Sequence, residues 1–486
     1  MPHGTRPSRV LHILLSLATA SCAACMARAG DAEATETRTP GGAPVIEESI
    51  VLDRIWSAVR VRFSLLTEGE RQYVAYFNAD RRMVVGMRNL GDPEFVKTVL
   101  PSLSDAPPTR GTRSTIQGWD SHNYITMALD AEGHLHLAGN MHANPLTYFR
   151  SRDPHDVTTL EPVETMVGRL ENRVTYPHFM NAPDGRLVFL YRHGGSGNGD
   201  EILNVYDEAT RTWRRLRDQP LLAGEGRRNA YPNGPRLGPD GWHHLLWVWR
   251  QTPAAETCHD LSYARSRDLV NWENAAGEAL ELPITISSPG TIVDPIPVNG
   301  GIINGCQRFG FDRRNRVLVT YHKHDERGHT QAYVARFDDG RWQTRPVSDW
   351  EGEHVFRGGG SGPSTFGTSL WLGTIEPYSD GKLALPYRHW IHGRGVLVVD
   401  EETLAPLGSA AAPRRPPRFP PELTRVQSDF PGMQVRWTED EGRSPKAGSR
   451  YVLRWESLGT HRDRPRSGPL PENSELVLYR IGDVVE

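Results

Sequence analysis

Cysteine is scarce in this sequence, which has four in 486 residues. Cys22 and Cys25 lie in an apolar stretch near the N-terminus, so the rest of the chain contains Cys258 and Cys306 alone. Two cysteines allow one disulfide at most, which excludes a small disulfide-stabilised scaffold. A bond between Cys258 and Cys306 and a free or metal-bound Cys258 are both compatible with the sequence.

The sequence also lacks an excess of basic residues, and it lacks long apolar runs. The 56 Lys and Arg residues are outnumbered by 59 Asp and Glu, which gives a formal net charge of −3. A nucleic-acid-binding protein needs a basic surface, so we predict no nucleic-acid partner. Beyond the N-terminal stretch no run is apolar and long enough to cross a bilayer, so we predict no membrane insertion. The sequence does not indicate an oligomeric state.

Residues 1–29 have the pattern of a signal peptide. Arg6 and Arg9 precede the apolar stretch, and "ARA" at residues 27–29 fits a small-x-small cleavage site. We predict a mature chain that begins near Gly30 and is secreted or periplasmic. An uncleaved membrane anchor and a lipoprotein cysteine are the alternatives. Cleavage removes three arginines and no acid, which changes the formal net charge from −3 to −6.

Glycine, proline and tryptophan are plentiful, and strand-like runs alternate with Asp/Asn/Gly turns. The turn glycines Gly133, Gly185 and Gly241 are 52 and 56 residues apart. The segment "SRDLVNW" at residues 266–272 has the form of an Asp-box turn. A four-stranded unit of about fifty residues, repeated six or seven times, is typical of a β-propeller. Two unrelated β-sandwiches are the alternative.

The same pattern predicts the domain boundaries. Residues 30–44 have the composition of a disordered leader, and residues 45–408 hold the propeller. "SAAAPRRPPRFPP" at 409–421 is a Pro-rich linker. Residues 422–486 are again strand-like and are predicted to complete the propeller, a separate small β module being the alternative.

Histidines and asparagines are concentrated in one hairpin, residues 118–151. Its two central histidines alternate with leucines, which is typical of structural strand residues. His122 and His142 lie at its two ends, 20 residues apart, and Asn123 and Asn140 flank them. Because a hairpin brings such ends together, we predict that these four side chains lie at one rim.

The next two units have matching residues at the ends of their strands. Tyr176 precedes Arg192 by 16 residues, and Tyr231 precedes Arg250 by 19. Hairpin geometry places these four residues on the rim that holds His142. The alternative is that they only cap the strands. His193, which opens the Gly-rich stretch "HGGSGNGD", and Trp249 are further candidates for substrate contact, although a large aromatic in a blade is also typical of core.

This set of side chains suits one kind of chemistry. The sequence shows no carboxylate pair near the cluster, no nucleophile elbow and no phosphate loop, which disfavours an ordinary glycosidase, an esterase and a nucleotide enzyme. An arginine can pair both oxygens of a carboxylate and so make the adjacent C–H more acidic. A tyrosine or histidine then removes that proton, and another protonates the leaving oxygen. We therefore predict β-elimination at a uronic acid without an organic cofactor.

The residues also carry a family resemblance. "SHNY", "GNMHANP", "TYPHF", "YRHGGSGNG" and "AYPNGP" make residues 45–400 similar to the BNR-4 group of β-propeller proteins, and within it to ulvan-lyase-type polysaccharide lyases. The resemblance implies an all-β fold, a seven-bladed β-propeller of four-stranded antiparallel blades. It implies an anionic polysaccharide or oligosaccharide substrate in which rhamnose is linked to a uronate.

The resemblance also implies roles for the rim residues. Arg192 would neutralise the uronate carboxylate, and His122 and Tyr176 would be the proton-transfer pair. His142 and Tyr231 would assist or bind, and which residue is the base stays open. A same-fold α-L-rhamnosidase acting on rhamnose–glucuronate and a non-catalytic carbohydrate-binding propeller are the alternatives.

A structural metal ion is the last prediction. His244, Cys258, His259 and His322 come from neighbouring strands, and imidazoles with a thiolate can bind zinc tetrahedrally. The resemblance points in the same direction, and calcium is the alternative ion. Separate histidines with an inert thiol are equally compatible with the sequence.

Overall fold

The computed structural model describes residues 44–358, 369–412, 417–442 and 448–482. The predicted signal peptide, most of the leader and part of the Pro-rich linker lie outside the described residues. Residues 42–486 cluster into one compact unit.

The described chain is strand, turn and loop with very little helix. The strands, in chain order, are β1 (Val45–Ile55), β2 (Ser64–Glu68), β3 (Arg71–Phe77), β4 (Met83–Asn89), β5 (Val96–Val99), β6 (Ile125–Leu129), β7 (Leu135–Gly139), β8 (His142–Asn144), β9 (Tyr148–Ser151), β10 (Leu160–Val163), β11 (Val174–Asn181), β12 (Leu187–Gly195), β13 (Asn198–Asp207), β14 (Thr212–Arg215), β15 (Leu222–Ala223), β16 (Asn229–Leu237), β17 (His243–Arg250), β18 (Cys258–Ser266), β19 (Trp272–Glu273), β20 (Ala279–Leu280), β21 (Ile292–Asp294), β22 (Arg308–Phe311), β23 (Val317–His324), β24 (Thr330–Asp338), β25 (Arg341–Pro346), β26 (Leu370–Leu372), β27 (Glu376–Ser379), β28 (Lys382–His389), β29 (Gly393–Asp400), β30 (Pro406–Ala410), β31 (Gln434–Glu439), β32 (Ser449–Ser457) and β33 (Ser474–Gly482). The helical pieces are α1 (Pro421–Thr424) and two 3₁₀ turns, Val157–Thr159 and Ala255–Thr257. No helix in the described ranges has the length and apolarity that a membrane span requires.

In the described ranges these strands form seven antiparallel sheets, four of which have four strands. The sheets, named by their strands, are sheet 1 (β1, β31–β33), sheet 2 (β2–β5), sheet 3 (β6, β7, β9, β10), sheet 4 (β8, β11–β15), sheet 5 (β16–β21), sheet 6 (β22–β25) and sheet 7 (β26–β30). Most neighbours within a sheet are consecutive in sequence, because short turns join them as hairpins. The all-β prediction is confirmed, and so is the repetition of small antiparallel sheets.

Strand β17 shows why some strands of this protein are apolar at nearly every position. Every residue of β17 is buried. Trp247 and Trp249 belong to one hydrophobic cluster, and Leu246 and Val248 belong to another. Because successive side chains in a strand point to opposite faces, β17 is covered on both faces by neighbouring sheets. Trp249 is therefore a core residue with no exposed surface, so the prediction that it contacts substrate is wrong and the alternative, a core position, holds.

The core position of Trp249 predicts a large loss of stability on truncation. Trp249→Ala is expected to lower the free energy of unfolding by about 3–5 kcal/mol, because it removes buried area and leaves a cavity. Trp371, which is 46% exposed, is the matched control, and Trp371→Ala should change the free energy of unfolding by less than about 0.5 kcal/mol. Guanidinium denaturation measures both. If Trp249→Ala were as stable as the unaltered protein but bound sugar more weakly, a role of Trp249 in substrate binding would be restored.

Sheet 1 combines strands that are distant in sequence. β1 pairs with β33 from Val45 opposite Gly482 to Ile55 opposite Ser474. Residues 458–473, which join β32 to β33, are called the C-terminal loop below. This loop is tied to the chain that follows β1: the amide of Leu458 donates to the carbonyl of Ser57 at 2.9 Å. The C-terminal loop thereby lies next to the segment that leads into sheet 2.

Candidate active site

Two imidazoles share one carboxylate at the predicted rim. Asp120 accepts a 2.7 Å hydrogen bond from His122 Nδ1 on Oδ1 and a 2.6 Å hydrogen bond from His142 Nδ1 on Oδ2. The ring centroids of the two histidines are 4.3 Å apart. The structure thus brings together the two ends of the histidine-rich hairpin.

The charges around His122 favour its protonated form. Burial opposes that form, but hydrogen bonds and charges from Asp120 and Asp463 raise the pKa of His122 to about 10. Burial also works against ionised Asp120, and the two imidazoles overcome it and hold the pKa of that carboxyl below its usual range. At neutral pH His122 is therefore a cation that can donate a proton.

Tyr176, Arg192 and Tyr231 adjoin the histidines. The guanidinium carbon of Arg192 is 4.8 Å from the ring centroid of Tyr176 and 5.3 Å from that of Tyr231. The Tyr176 centroid is 5.9 Å from that of His122 and 6.4 Å from that of Tyr231. The five predicted catalytic residues therefore form one contiguous group: His122, His142, Tyr176, Arg192 and Tyr231.

A β-bulge sets the direction of the Tyr176 side chain. The register between β11 and β12 shifts between Thr175 and His178, and Tyr176 has φ of +56°. A left-handed backbone is costly for a bulky residue, and such strain is typical of functional sites. Bulges redirect a side chain in this way beside many active sites.

Arg192 is a buried cation without a hydrogen-bond partner. It is 1% exposed, and none of its three side-chain nitrogens has a partner among the described residues. Glu201 lies directly opposite it across β12 and β13, and burial raises the pKa of Glu201 to about 7 against the opposing charge of Arg192. A buried guanidinium that makes no hydrogen bond is unfavourable for stability even beside a partly protonated carboxyl, so a role in binding an anion would explain its presence.

The two tyrosines are shifted in opposite directions. Burial and the neighbouring Tyr231 raise the pKa of Tyr176. Burial acts in the same sense on Tyr231, but the charges of Arg192 and Arg250 and a hydrogen bond with Ser196 lower its pKa below the ordinary value. The Ser196 and Tyr231 hydroxyl oxygens are 2.6 Å apart. Tyr231 is thus the phenol that ionises more readily, and Tyr176 is the one that keeps its proton.

The predicted substrate-binding residues fall into different places. Arg250 lies at the site, where its Nη1 donates to Asn304 Oδ1 at 3.0 Å and to the Tyr231 hydroxyl at 3.4 Å. Asn140 is buried and donates to two backbone carbonyls, those of residues 114 and 116. Asn123 is buried as well, and His193 Nε2 pairs with the side chain of Asn172. Arg250 is therefore the member of this set that directly borders the tyrosines.

Sequence reasoning missed several polar groups at the site. The premise that no carboxylate pair lies near the cluster is wrong, because Asp120 and Asp463 both contact His122. Asp120 stands two residues before His122, a spacing that allows a local hydrogen bond and was a usable signal. Asp463 lies in the C-terminal loop, and no local pattern connects it to the hairpin.

The predicted metal-ligand set does not converge. His244 lies opposite Arg265 near one end of β18, whereas Cys258 lies opposite Arg250 at the other end. The ring nitrogens of His244 already contact Tyr263 and Asp240, at 2.6 and 3.0 Å. Burial raises the pKa of the Cys258 thiol to about 11, which keeps it protonated. Both this thiol and that of Cys306 are free.

The other two predicted ligands are engaged separately. His259 Nδ1 pairs with Asp260, and His322 Nδ1 with the carbonyl of Gly301. The zinc or calcium site formed by His244, Cys258, His259 and His322 is therefore wrong, because these side chains are distributed along the strands. Within the described ranges, the group of potential donor atoms close enough for a cation, all within 4.8 Å of one another, consists of Asp120, His122, His142 and Asp463. In this structure the imidazoles of this group hydrogen-bond to the Asp120 carboxylate.

Together, the repeated antiparallel sheets and the His–Tyr–Arg group define a class: an all-β repeat protein with a polar site built from several sheets. The chain belongs to the BNR repeat-containing family, whose model matches residues 71–350. The resemblance found in the motifs is thereby confirmed, and the curated relatives it matches are ulvan lyases.

The matched relatives are longer than the regions they share with this chain. The short isoform of ulvan lyase from Alteromonas sp. (strain LOR) is 28% identical over 145 residues, which are 27% of this chain and 28% of that protein. The long isoform from Glaciecola sp. (strain KUL10) is 46% identical over 44 residues, which are 9% of this chain and 4% of that protein.

Solved structures show the same fold over nearly the whole chain. The polysaccharide lyase Uly1 has a TM-score of 0.55 at 13% identity, with 90% of this chain and 99% of that chain covered. A PL25 ulvan lyase bound to -[GlcA(1-4)Rha3S]- has a TM-score of 0.50 at 12% identity, with 90% and 96% covered. At these identities the likeness establishes the fold.

Proposed function

We propose that this protein is a polysaccharide lyase that cleaves rhamnose–uronate glycans by β-elimination. The observation that carries the proposal is the buried Arg192 that lies over the rings of two tyrosines whose pKa values are shifted in opposite directions. Environments that separate two titratable groups in this way indicate an acid and a base. The similar ulvan lyases support this reaction, and the oligosaccharide in the PL25 lyase supports this substrate class.

In the proposed reaction Arg192 neutralises the uronate carboxylate. The Tyr231 phenolate removes the proton from the carbon next to that carboxylate, and the C–H electron pair becomes enolate charge that the guanidinium stabilises. That charge then forms the new C=C bond while the neighbouring C–O bond breaks. The departing oxygen keeps the bonding pair and takes a proton from Tyr176 or from His122, both protonated at neutral pH.

We also propose that the fold is a seven-bladed propeller. Seven antiparallel sheets in the described ranges support seven blades.

We further propose that the protein is exported. The pattern of residues 1–29 supports export. Mass spectrometry of protein recovered outside the cytoplasm of an expressing bacterium should find a mature N-terminus near Gly30. A chain that keeps Met1 and stays in the cytoplasm would contradict export.

The reaction type is tested by the product. Purified protein incubated with ulvan and with other rhamnose–uronate glycans should generate an unsaturated uronate, which absorbs ultraviolet light. A rhamnosidase would release rhamnose without that absorbance, and a binding module would do neither. Either of these outcomes removes the lyase proposal, and both products are measured on the same sample by spectrophotometry and chromatography.

A further inference from the structure

The C-terminal loop lies outside the residues that match the family, yet it reaches the site. Asp463 Oδ1 accepts hydrogen bonds from both the amide and the hydroxyl of Ser121, each at 3.2 Å. Asp463 Oδ2 lies 3.5 Å from Nδ1 of His122. A single side chain from the C-terminal loop therefore clamps two consecutive residues of the histidine-bearing segment.

The loop is built to hold this position. Arg462 and Asp463 are consecutive residues with φ of +54° and +53°, a conformation that costs non-glycine residues energy unless surrounding contacts enforce it. Arg466 supplies such contacts, because it donates to the carbonyls of Gly459 at 2.8 Å and Ala58 at 3.2 Å. The strained pair is thereby anchored both within the loop and to the chain after β1.

A second acceptor matters because Asp120 is shared. One oxygen of Asp120 serves His122 and the other serves His142, so each ring has one hydrogen bond to Asp120, and Asp463 is a further carboxylate that faces His122. Both carboxylates face Nδ1 of His122, and no described residue hydrogen-bonds its Nε2. The arrangement presents Nε2, on a side chain that is 33% exposed, to a ligand.

We propose that Asp463 is a positioning residue of the active site: it fixes the His122 ring so that Nε2 meets the substrate, and the C-terminal loop is part of the site. The kinetic consequence of this inference rests on the proposed function, whereas the contact between Asp463 and His122 does not depend on it. The charged and titratable groups that face His122 are Asp120, Asp463, His142 and Tyr176, and the two carboxylates also raise the pKa of His122.

The kinetic test is Asp463→Asn. We expect kcat to fall about tenfold or more with KM changed less than about twofold, since the group acts through proton transfer. The alkaline limb of the kcat profile should move to lower pH, because a cation that loses an anionic neighbour loses its proton more easily. Asp463→Glu should restore part of kcat. Glu472→Gln, which changes an exposed acid of the same loop, should behave like the unaltered protein.

A second measurement works without turnover. Diethyl pyrocarbonate modifies unprotonated imidazole, and peptide mass spectrometry follows His122 alone. Asp463→Asn should accelerate modification of His122 at pH 7 several-fold, and Glu472→Gln should not. If the unaltered protein has no lyase activity, the proposed function fails while this measurement still decides the role of Asp463. An unchanged pH profile and unchanged His122 modification in Asp463→Asn would overturn the inference, as would an equal effect of Glu472→Gln.

Discussion

Arg192→Met is expected to lower kcat/KM by about 10³-fold or more and to leave the protein at least as stable as before. The substitution removes the charge that, in the proposed reaction, neutralises the uronate and the developing enolate, and a single preorganised charge of this kind is worth about 10²–10³ in rate. Its second role is lost with it, because Arg192 lowers the pKa of Tyr231. Ultraviolet absorbance of the product measures the rate.

The stability half of this prediction follows from burial. Methionine of similar length replaces a buried guanidinium by an apolar chain, and Glu201 opposite it, whose pKa burial already raises to about 7, can stay neutral without the cation. Arg186→Ala is the control, since Arg186 pairs with Asp184 in an exposed turn of the same sheet and its loss should change neither rate nor stability. A variant that keeps wild-type kcat/KM, or one that unfolds, would remove Arg192 from this role.

Tyr231→Phe is expected to lower kcat by about 10²–10⁴-fold, the range that positioned acid–base groups contribute. The unaltered enzyme should gain activity as pH rises toward the pKa of Tyr231, because the phenolate is the active form. That pKa is below the ordinary value of 10, so the rising limb should lie below pH 10. Activity is lost as pH falls below it.

A substitution of Arg250 gives a second test of Tyr231 as the base, because it should shift the pH at which the rate rises. Arg250→Met removes one of the two charges that lower the Tyr231 pKa, so the rising limb should move to higher pH. Tyr378→Phe, at an exposed tyrosine, should leave the profile unchanged. If Tyr176→Phe rather than Tyr231→Phe abolishes the limb, the two tyrosines exchange roles. Rate measurements across pH on the four variants decide between them.

The sequence predicted the site where hairpin geometry alone determines it. His122 and His142 are 20 residues apart around a tight turn, and Tyr176 and Arg192 are 16 apart. Strand ends joined by a short turn must be neighbours, so local spacing carried the information. In the structure Thr175, next to Tyr176, lies directly opposite Arg192.

The predictions that failed depended on contacts between sheets. Trp249 and Arg250 are adjacent, yet one is core and the other borders the site, and alternation cannot tell which face a neighbouring sheet covers. His244 and Cys258 come from paired strands, but antiparallel register places them far apart along the ladder. Asp463 reaches His122 across a separation of 341 residues, which no local pattern encodes.

The pairing of β1 with β33 has a consequence for biosynthesis. These strands are separated by more than four hundred residues, so β1 emerges from the ribosome long before its partner exists. The segment bearing Asp463 emerges immediately ahead of β33. A nascent chain that already contains residues 71–350, which match the family, therefore still lacks the clamp on His122, which forms only after the C-terminal loop has been translated.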